Sequence, residues 1–350
     1  MSTTFHELTV ASVEQLTPSA VALTLAVPVP LREVFAFRPG QHLTVRLDET
    51  ERRSYSICST PADLREHGLL TVGVKRVPGG AFSTRAQEFA PGETLAVLPP
   101  LGRFTTELDP ARTRRYGAIV AGSGITPVLS LVATALATEP GSTFTVLCGN
   151  RSAGEVMFAD ALADLKDRFP GRLQLVHVLS REMQPSELLS GRLDADRTTA
   201  LLKAFDLAEV DEWFLCGPLG VVRSAREALA AVGAIGRAHV ELFHAEEPPP
   251  PAADAAGGGT VGVRIVLDGR STEFAMERGE RVLDAALRHR GELPYACKGG
   301  VCSTCRAKVV SGSVEMAANW ALEPEELAAG YVLTCQSSPT SDEIALDFDA

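Results

Sequence analysis

Residues 295–305 read Tyr295-Ala296-Cys297-Lys298-Gly299-Gly300-Val301-Cys302-Ser303-Thr304-Cys305, and a fourth cysteine, Cys335, follows after 29 intervening residues. This C-x4-C-x2-C…C spacing places three thiols on one loop and completes the set with a distant fourth, a pattern that suits a [2Fe–2S] cluster. Gly299 and Gly300 agree with it, because a chain wrapping a cluster needs positive φ values and backbone N–H groups turned toward sulfur. A four-cysteine zinc site and a pair of disulfides stand as alternatives at this point. Zinc sites of that kind usually carry two C-x2-C pairs, and a single such pair is present here. Cys297, Cys302, Cys305 and Cys335 are therefore the expected metal ligands. A cluster of this type moves one electron at a time, so the rest of the chain is expected to supply electrons to it.

At 350 residues the chain exceeds one ordinary core and suits two or three domains. The other three cysteines, Cys58, Cys148 and Cys216, are far apart in sequence. An odd count with a clustered subset argues for a reducing compartment rather than a disulfide-stapled secreted protein. Residues 1–6 show no basic segment followed by an apolar run, so no signal peptide is expected. The most apolar stretch, 118–137, is interrupted by Gly-Ser-Gly and a proline, which reads as strand, loop and helix rather than a membrane span. A cytoplasmic protein without a membrane partner is expected. The formal net charge of −11 disfavours nucleic acid as a partner. Residues 261–350 carry nine Lys/Arg against fourteen Asp/Glu, an acidity that more often serves solubility alone, with steering toward a basic acceptor as the alternative.

Residues 246–260 run through four prolines into three glycines without hydrophobic periodicity, the composition of a linker. It separates a large N-terminal part from residues 261–350. Between Thr9 and about Phe104, short β-like runs broken by Pro and Gly predict a small antiparallel barrel within 1–110: Ala20–Val27, His42–Leu47, Leu70–Val77 and Thr94–Leu98. From Tyr116 the texture changes to alternating units, which predicts a parallel-sheet α/β domain over 111–245. Its strands are expected at Ala118–Ala121, Thr143–Cys148, Leu173–Leu179 and Glu212–Leu215. Its helices are expected at Pro127–Ala137, Phe158–Arg168 and Val221–Val232.

After the first of these strands stands Gly122-Ser123-Gly124-Ile125-Thr126-Pro127. Glycines there let backbone approach a pyrophosphate, the following helix offers its N-terminal dipole, and Pro127 fits a first helical turn. A glycine-rich strand-to-helix turn is also common in α/β units that bind nothing. Cys216-Gly217-Pro218 likewise follows a strand, where open α/β sheets take ligands, although a lone cysteine is more often a small buried hydrophobe. No H-E-x-x-H zinc motif and no G-x-S-x-G nucleophile elbow occurs.

Over nearly its whole length the sequence resembles the ferredoxin–NADP reductase superfamily, in the subgroup with a fused C-terminal plant-type ferredoxin domain. Arg53-Ser54-Tyr55-Ser56 looks like the family's R-x-Y-S flavin motif. The resemblance gives its arginine the flavin pyrophosphate, its tyrosine the isoalloxazine face and its serine the neighbourhood of flavin N5. Gly80-Ala81-Phe82-Ser83 is similar to the second flavin segment, whose backbone and serine bind phosphate. Gly122, Gly124, Thr126 and Pro127, with Cys216, Gly217 and Pro218, match the nicotinamide-nucleotide motifs. Tyr331-Val332-Leu333-Thr334-Cys335 matches plant-type ferredoxins. The implied architecture is a β-barrel flavin domain, an α/β NAD(P)-binding domain and a β-grasp ferredoxin domain. The implied route takes hydride from NADPH to flavin N5, then single electrons through [2Fe–2S] to an oxygenase. Tyr55, Ser56 and Cys216 are the residues expected at the hydride-transfer centre. A non-catalytic redox sensor that keeps its cofactors is the alternative from another class.

Ser180-Arg181, after the strand Leu173–Leu179, resembles the S-R of NADPH-using members, where arginine and serine hold the 2′-phosphate; an acidic residue there would indicate NADH. Asn150-Arg151 adds a second arginine after the preceding strand. Within the family, Gly-Asn-Arg-Ser (149–152), Leu-Ser-Arg-Glu (179–182) and Glu-Leu-Leu-Ser-Gly-Arg-Leu-Asp (187–194) most resemble the reductases of phenylacetyl-CoA epoxidases, which use FAD and NADPH. Val74-Lys75 of Val-Lys-Arg-Val-Pro-Gly-Gly and Phe243 of Glu-Leu-Phe also fit that group. In Glu-Leu-Phe, leucine stands where the group often has arginine. Reductases of phthalate dioxygenase or vanillate demethylase type, using FMN and NADH, are the alternative.

Overall fold

The computed structural model describes residues 4–48, 51–234, 238–243 and 259–350. These fall into two compact units, one within 6–51 and 55–243, the other within 244–350 together with 4–5 and 52–54. Of the stretch read as a linker, only 259–260 lie among the described residues, and Thr260 opens a strand.

Six strands form one antiparallel sheet, in the first unit except for residues 52–54: β1 His6–Thr17, β2 Ala20–Ala26, β3 His42–Arg46, β4 Arg52–Ser56, β5 Leu69–Lys75 and β6 Thr94–Val97. Their order is β4-β3-β6-β1-β2-β5. The two edges meet where Ile57, just past β4, bridges Val72 of β5, and Cys58 N–H donates to Thr71 O at 2.8 Å. The sheet thereby closes into the expected barrel, which leaves no long unpaired edge. Period-two alternation aims Leu8, Val10, Leu23, Leu25, Leu43, Val45, Val72 and Val74 inward, all essentially inaccessible. Two short helices interrupt the strands, α1 Pro61–His67 and α2 Ala81–Arg85. Thr60 caps the first with a reciprocal Thr60–Asp63 pair, and Gly68 ends it at φ 70.

Five parallel strands follow: β7 Arg115–Ala121, β8 Thr143–Asn150, β9 Leu173–Leu179, β10 Glu212–Gly217 and β11 Ala238–Leu242, in the order β11-β10-β7-β8-β9. The crossovers carry α3 Ile125–Thr138, α4 Ala159–Arg168, α5 Ala195–Ala204 and α6 Leu219–Ala231. The order reverses between β7 and β10, and such a switch point opens a crevice at the carboxyl ends of the strands. β7 and β10 deliver Gly122-Ser123-Gly124 and Cys216-Gly217-Pro218 to that crevice. Helix α5 and strand β11 are additions to the elements read from sequence.

The second unit holds β12 Thr260–Leu267, β13 Arg270–Glu277, α7 Val282–Leu287, β14 Arg306–Ser311, β15 Val314–Met316, α8 Pro324–Ala328, β16 Tyr331–Leu333, β17 Ser337–Pro339 and β18 Glu343–Asp347. Its mixed sheet runs β13-β12-β18-β14-β16, with β12 and β18 parallel and a separate β15–β17 pair. Val263, Ile265, Leu283, Ala286, Leu333 and Leu346 fill its core. The cysteine loop links α7 to β14, and Cys335 lies between β16 and β17. No helix among the described residues is long and apolar enough to cross a membrane.

Candidate functional site

Gly124 fixes the geometry of the crevice. A Cβ on it would lie 2.1 Å from Cys216 O and 2.9 Å from Gly217 N, so only hydrogen fits where the two loops touch. Thr126 Oγ1 donates to Ser123 O at 2.9 Å and holds the turn into α3, with Pro127 in the first helical turn. Both sequence-derived nucleotide motifs thus line one place at the switch point.

Four polar side chains converge beside them. Ser56 Oγ, at the end of β4, donates to Glu241 Oε2 on β11 at 3.0 Å. His42 Nδ1, on β3, lies 3.9 Å from Glu241 Oε1. Cys216 is paired in register with Glu241 across the β10–β11 ladder. The side chains of His42 and Glu241 are 3% and 12% exposed, so both are largely removed from water. Burial pushes the Glu241 carboxyl up to about 8, against the pull of the Ser56 hydroxyl, and pushes His42 down to about 4. Burial, with the Glu241 carboxylate beside it, holds the Cys216 thiol well above its ordinary range. The centre therefore keeps Glu241 protonated and His42 neutral near pH 7. Glu241 and His42 are additions to the expected trio of Tyr55, Ser56 and Cys216. In sequence, Glu241 shows only as the first letter of Glu-Leu-Phe, and a parallel strand pairing is what makes it a neighbour of Cys216.

Tyr55 follows Arg53 and Ser54 on β4, half-buried, with its ring 5.1 Å from that of Phe82 at 35°. Arg53 is exposed on that strand and donates to Arg52 O at 2.8 Å. In the segment Gly80-Ala81-Phe82-Ser83, Phe82 and Ser83 are buried, and Ser83 Oγ accepts from Val77 N–H at 3.0 Å. Ser83 thus closes the turn that presents this segment. Val74 belongs to the barrel core, while Lys75 reaches Glu155 at 3.6 Å. Phe243 is half-buried against the α/β core.

Beyond β8 and β9 the two arginine-bearing loops run side by side. Ser180 N–H donates to Asn150 O at 2.9 Å and Arg181 N–H to Arg151 O at 2.8 Å. Arg151 and Arg181 are both exposed there, and Glu182 accepts from Ala153 N–H at 2.8 Å. Two cations and a serine on adjacent strand ends are suited to a phosphate.

In the second unit the four cysteines stand as two pairs. The Cys297 and Cys302 thiols are neighbours, and so are those of Cys305 and Cys335. Among the described residues no three or more His, Cys, Asp or Glu gather about a single ion position. Two pairs of thiols match a two-iron cluster with two thiolates on each iron. The backbone fits as well: Gly299 N–H donates to Cys297 Sγ at 3.3 Å. Lys298, Gly300 and Ser303 take φ of 51, 75 and 52, left-handed turns of the kind that let a loop aim amides inward.

Family models match this chain in three places. They describe an oxidoreductase FAD-binding domain over residues 7–106, an oxidoreductase NAD-binding domain over 118–227 and a 2Fe-2S iron-sulfur cluster binding domain over 265–340. The chain is 46% identical over 355 aligned residues to a subunit of the 1,2-phenylacetyl-CoA epoxidase of Escherichia coli K12, covering 99% of each chain. It belongs to the fused flavin and [2Fe–2S] reductases. This reductase is also 34% identical to the ferredoxin reductase component of 3-ketosteroid-9-alpha-monooxygenase from Rhodococcus rhodochrous, over 97% of this chain and 96% of that one. Its fold is that of phthalate dioxygenase reductase, with a TM-score of 0.57 at 23% identity over 98% of both chains. The reductase is an NAD(P)H-dependent oxidoreductase with FAD and a [2Fe–2S] cluster as its cofactors.

Proposed function

We propose that this reductase supplies a phenylacetyl-CoA epoxidase, drawing electrons from NADPH. The observation that carries the choice of acceptor is the 46% identity, end to end, with a component of such an epoxidase; the match to a ketosteroid monooxygenase reductase is 34%. Arg181, Ser180 and Arg151 support NADPH over NADH, because exposed guanidinium groups at the ends of β8 and β9 suit a 2′-phosphate.

FAD supplies the chemistry that splits a hydride into two single electrons. The chain's own residues position it. Tyr55 offers a flat ring to the isoalloxazine and Arg53 a cation to the pyrophosphate. Ser56 and Glu241 form a hydrogen-bonded pair that holds a proton at the hydride-transfer centre, beside the buried Cys216 and His42. Gly124 and Gly217 let the nicotinamide side approach that pair. Cys297, Cys302, Cys305 and Cys335 hold the cluster that serves the acceptor.

The test mixes the reductase with the purified oxygenase components of the epoxidase and follows oxygen consumption with NADPH and phenylacetyl-CoA. Coupled epoxide formation is expected. NADPH oxidation without product, from a protein with intact cofactors, would redirect the search to another oxygenase.

A further inference from the structure

Gln336, the residue after the fourth cysteine, is 1% exposed, yet its side chain makes no apolar core. Its Nε2 carries two protons: one goes to Lys298 O at 2.8 Å, and the other is shared between Cys335 O at 3.0 Å and Cys335 Sγ at 3.5 Å. The rotated amide would set Oε1 against two carbonyl oxygens, so the neighbours fix which atom is nitrogen. Oε1 is then buried with no hydrogen-bond partner among the described residues. An unsatisfied buried acceptor is destabilising, and an apolar side chain of similar volume would avoid it. Gly300, at φ 75, leaves the room: a Cβ there would sit 3.0 Å from Gln336 Cγ. Gly299 N–H already donates to Cys297 Sγ at 3.3 Å, and the Gln336 amide adds a side-chain donor at Cys335.

We propose that Gln336 is a positioning residue that sets the reduction potential of the cluster through its N–H···S contact with Cys335, an assignment that rests on the four cysteines holding that cluster. Reduction adds one electron from the flavin side and one negative charge to the cluster; the same electron leaves to the oxygenase. No bond breaks and no proton moves. A donor aimed at a ligand sulfur stabilises the more negative state, so it favours reduction. Gln336 thereby makes the cluster a better acceptor from flavin.

Redox titration of Gln336→Met in the full-length holoprotein, with iron and sulfide content measured alongside, tests this. The expected result is a reduction equilibrium about tenfold less favourable, ~59 mV for a one-electron couple, at wild-type cluster content. An unchanged potential at full cluster content would overturn the role of Gln336 and leave the cluster assignment standing. A wild-type chain reconstituted under anaerobic conditions that holds no cluster would overturn both. If Gln336→Met loses its cluster, the wild-type protein labelled with 15N at glutamine side chains decides. A hyperfine coupling between the reduced cluster and a glutamine side-chain nitrogen supports the contact, and its absence refutes it.

Discussion

Replacing Glu241 with glutamine should remove a pH dependence of stability that the wild-type protein carries between pH 4.5 and 8. The glutamine keeps the volume and a partner for Ser56 but cannot ionise. In the folded chain burial holds the carboxyl at about 8 against an ordinary 4.5, so between those values the folded state keeps a proton that the unfolded chain releases. Its stabilising contribution is full below pH 4.5 and is lost as pH rises through 8. At ~1.4 kcal/mol per pH unit the loss totals ~5 kcal/mol at most, and relaxation around a side chain that retains some exposure lowers it. The groups facing Glu241 behave differently. His42, held at about 4, destabilises as pH falls from 6.5, and the Cys216 thiol ionises only in strong alkali. Both are present in wild type and variant and cancel in the difference. Urea unfolding of the two proteins in the same cofactor state, followed by fluorescence to which the buried Trp213 of β10 contributes, gives that difference at each pH. The wild-type chain should lose stability relative to Glu241→Gln by about 1 kcal/mol or more per pH unit between pH 6 and 7.5. Parallel curves across that range would mean that Glu241 ionises normally and that no proton is held beside Ser56.

Other consequences are open to direct measurement. Ser56→Ala removes the hydroxyl that contacts Glu241 and should slow flavin reduction about 10- to 100-fold while NADPH binding changes little; a purely thermodynamic loss of NADPH affinity would contradict that. Arg181→Ala should raise the KM for NADPH by about 10-fold or more and leave that for NADH nearly unchanged, which steady-state kinetics with both nucleotides reports. Cys302→Ser should abolish electron delivery to the oxygenase and leave reduction of a two-electron dye intact, and equal loss of both activities would overturn the electron order.

Local patterns made much of this molecule legible. The cysteine loop is a short string whose spacing points to the chemistry, and of the two glycines expected to be left-handed there, Gly300 is, at φ 75, and Gly299 is not. The alternation after Tyr116 gave the parallel sheet because each strand is an apolar run too short to be a helix. Strand β11 is harder to see. Its five residues, Ala-His-Val-Glu-Leu, alternate apolar with polar, but the run is short, lacks the continuous apolar character of the central strands and is only half-buried apart from Leu242. Helix α5 is masked similarly by two threonines and three charged residues within ten positions. Glu241 escapes notice for a related reason. Its neighbours Ser56, His42 and Cys216 come from β4, β3 and β10, and no periodicity in one segment can signal a carboxyl whose burial depends on three others.

The proposed order of electron flow, from NADPH to flavin to cluster, is observed directly by anaerobic stopped-flow mixing of the intact protein with NADPH. Flavin absorbance should bleach first and cluster absorbance should follow, with the second phase absent in Cys302→Ser. Failure of NADPH to bleach either chromophore, or loss of cluster absorbance ahead of flavin, would contradict it.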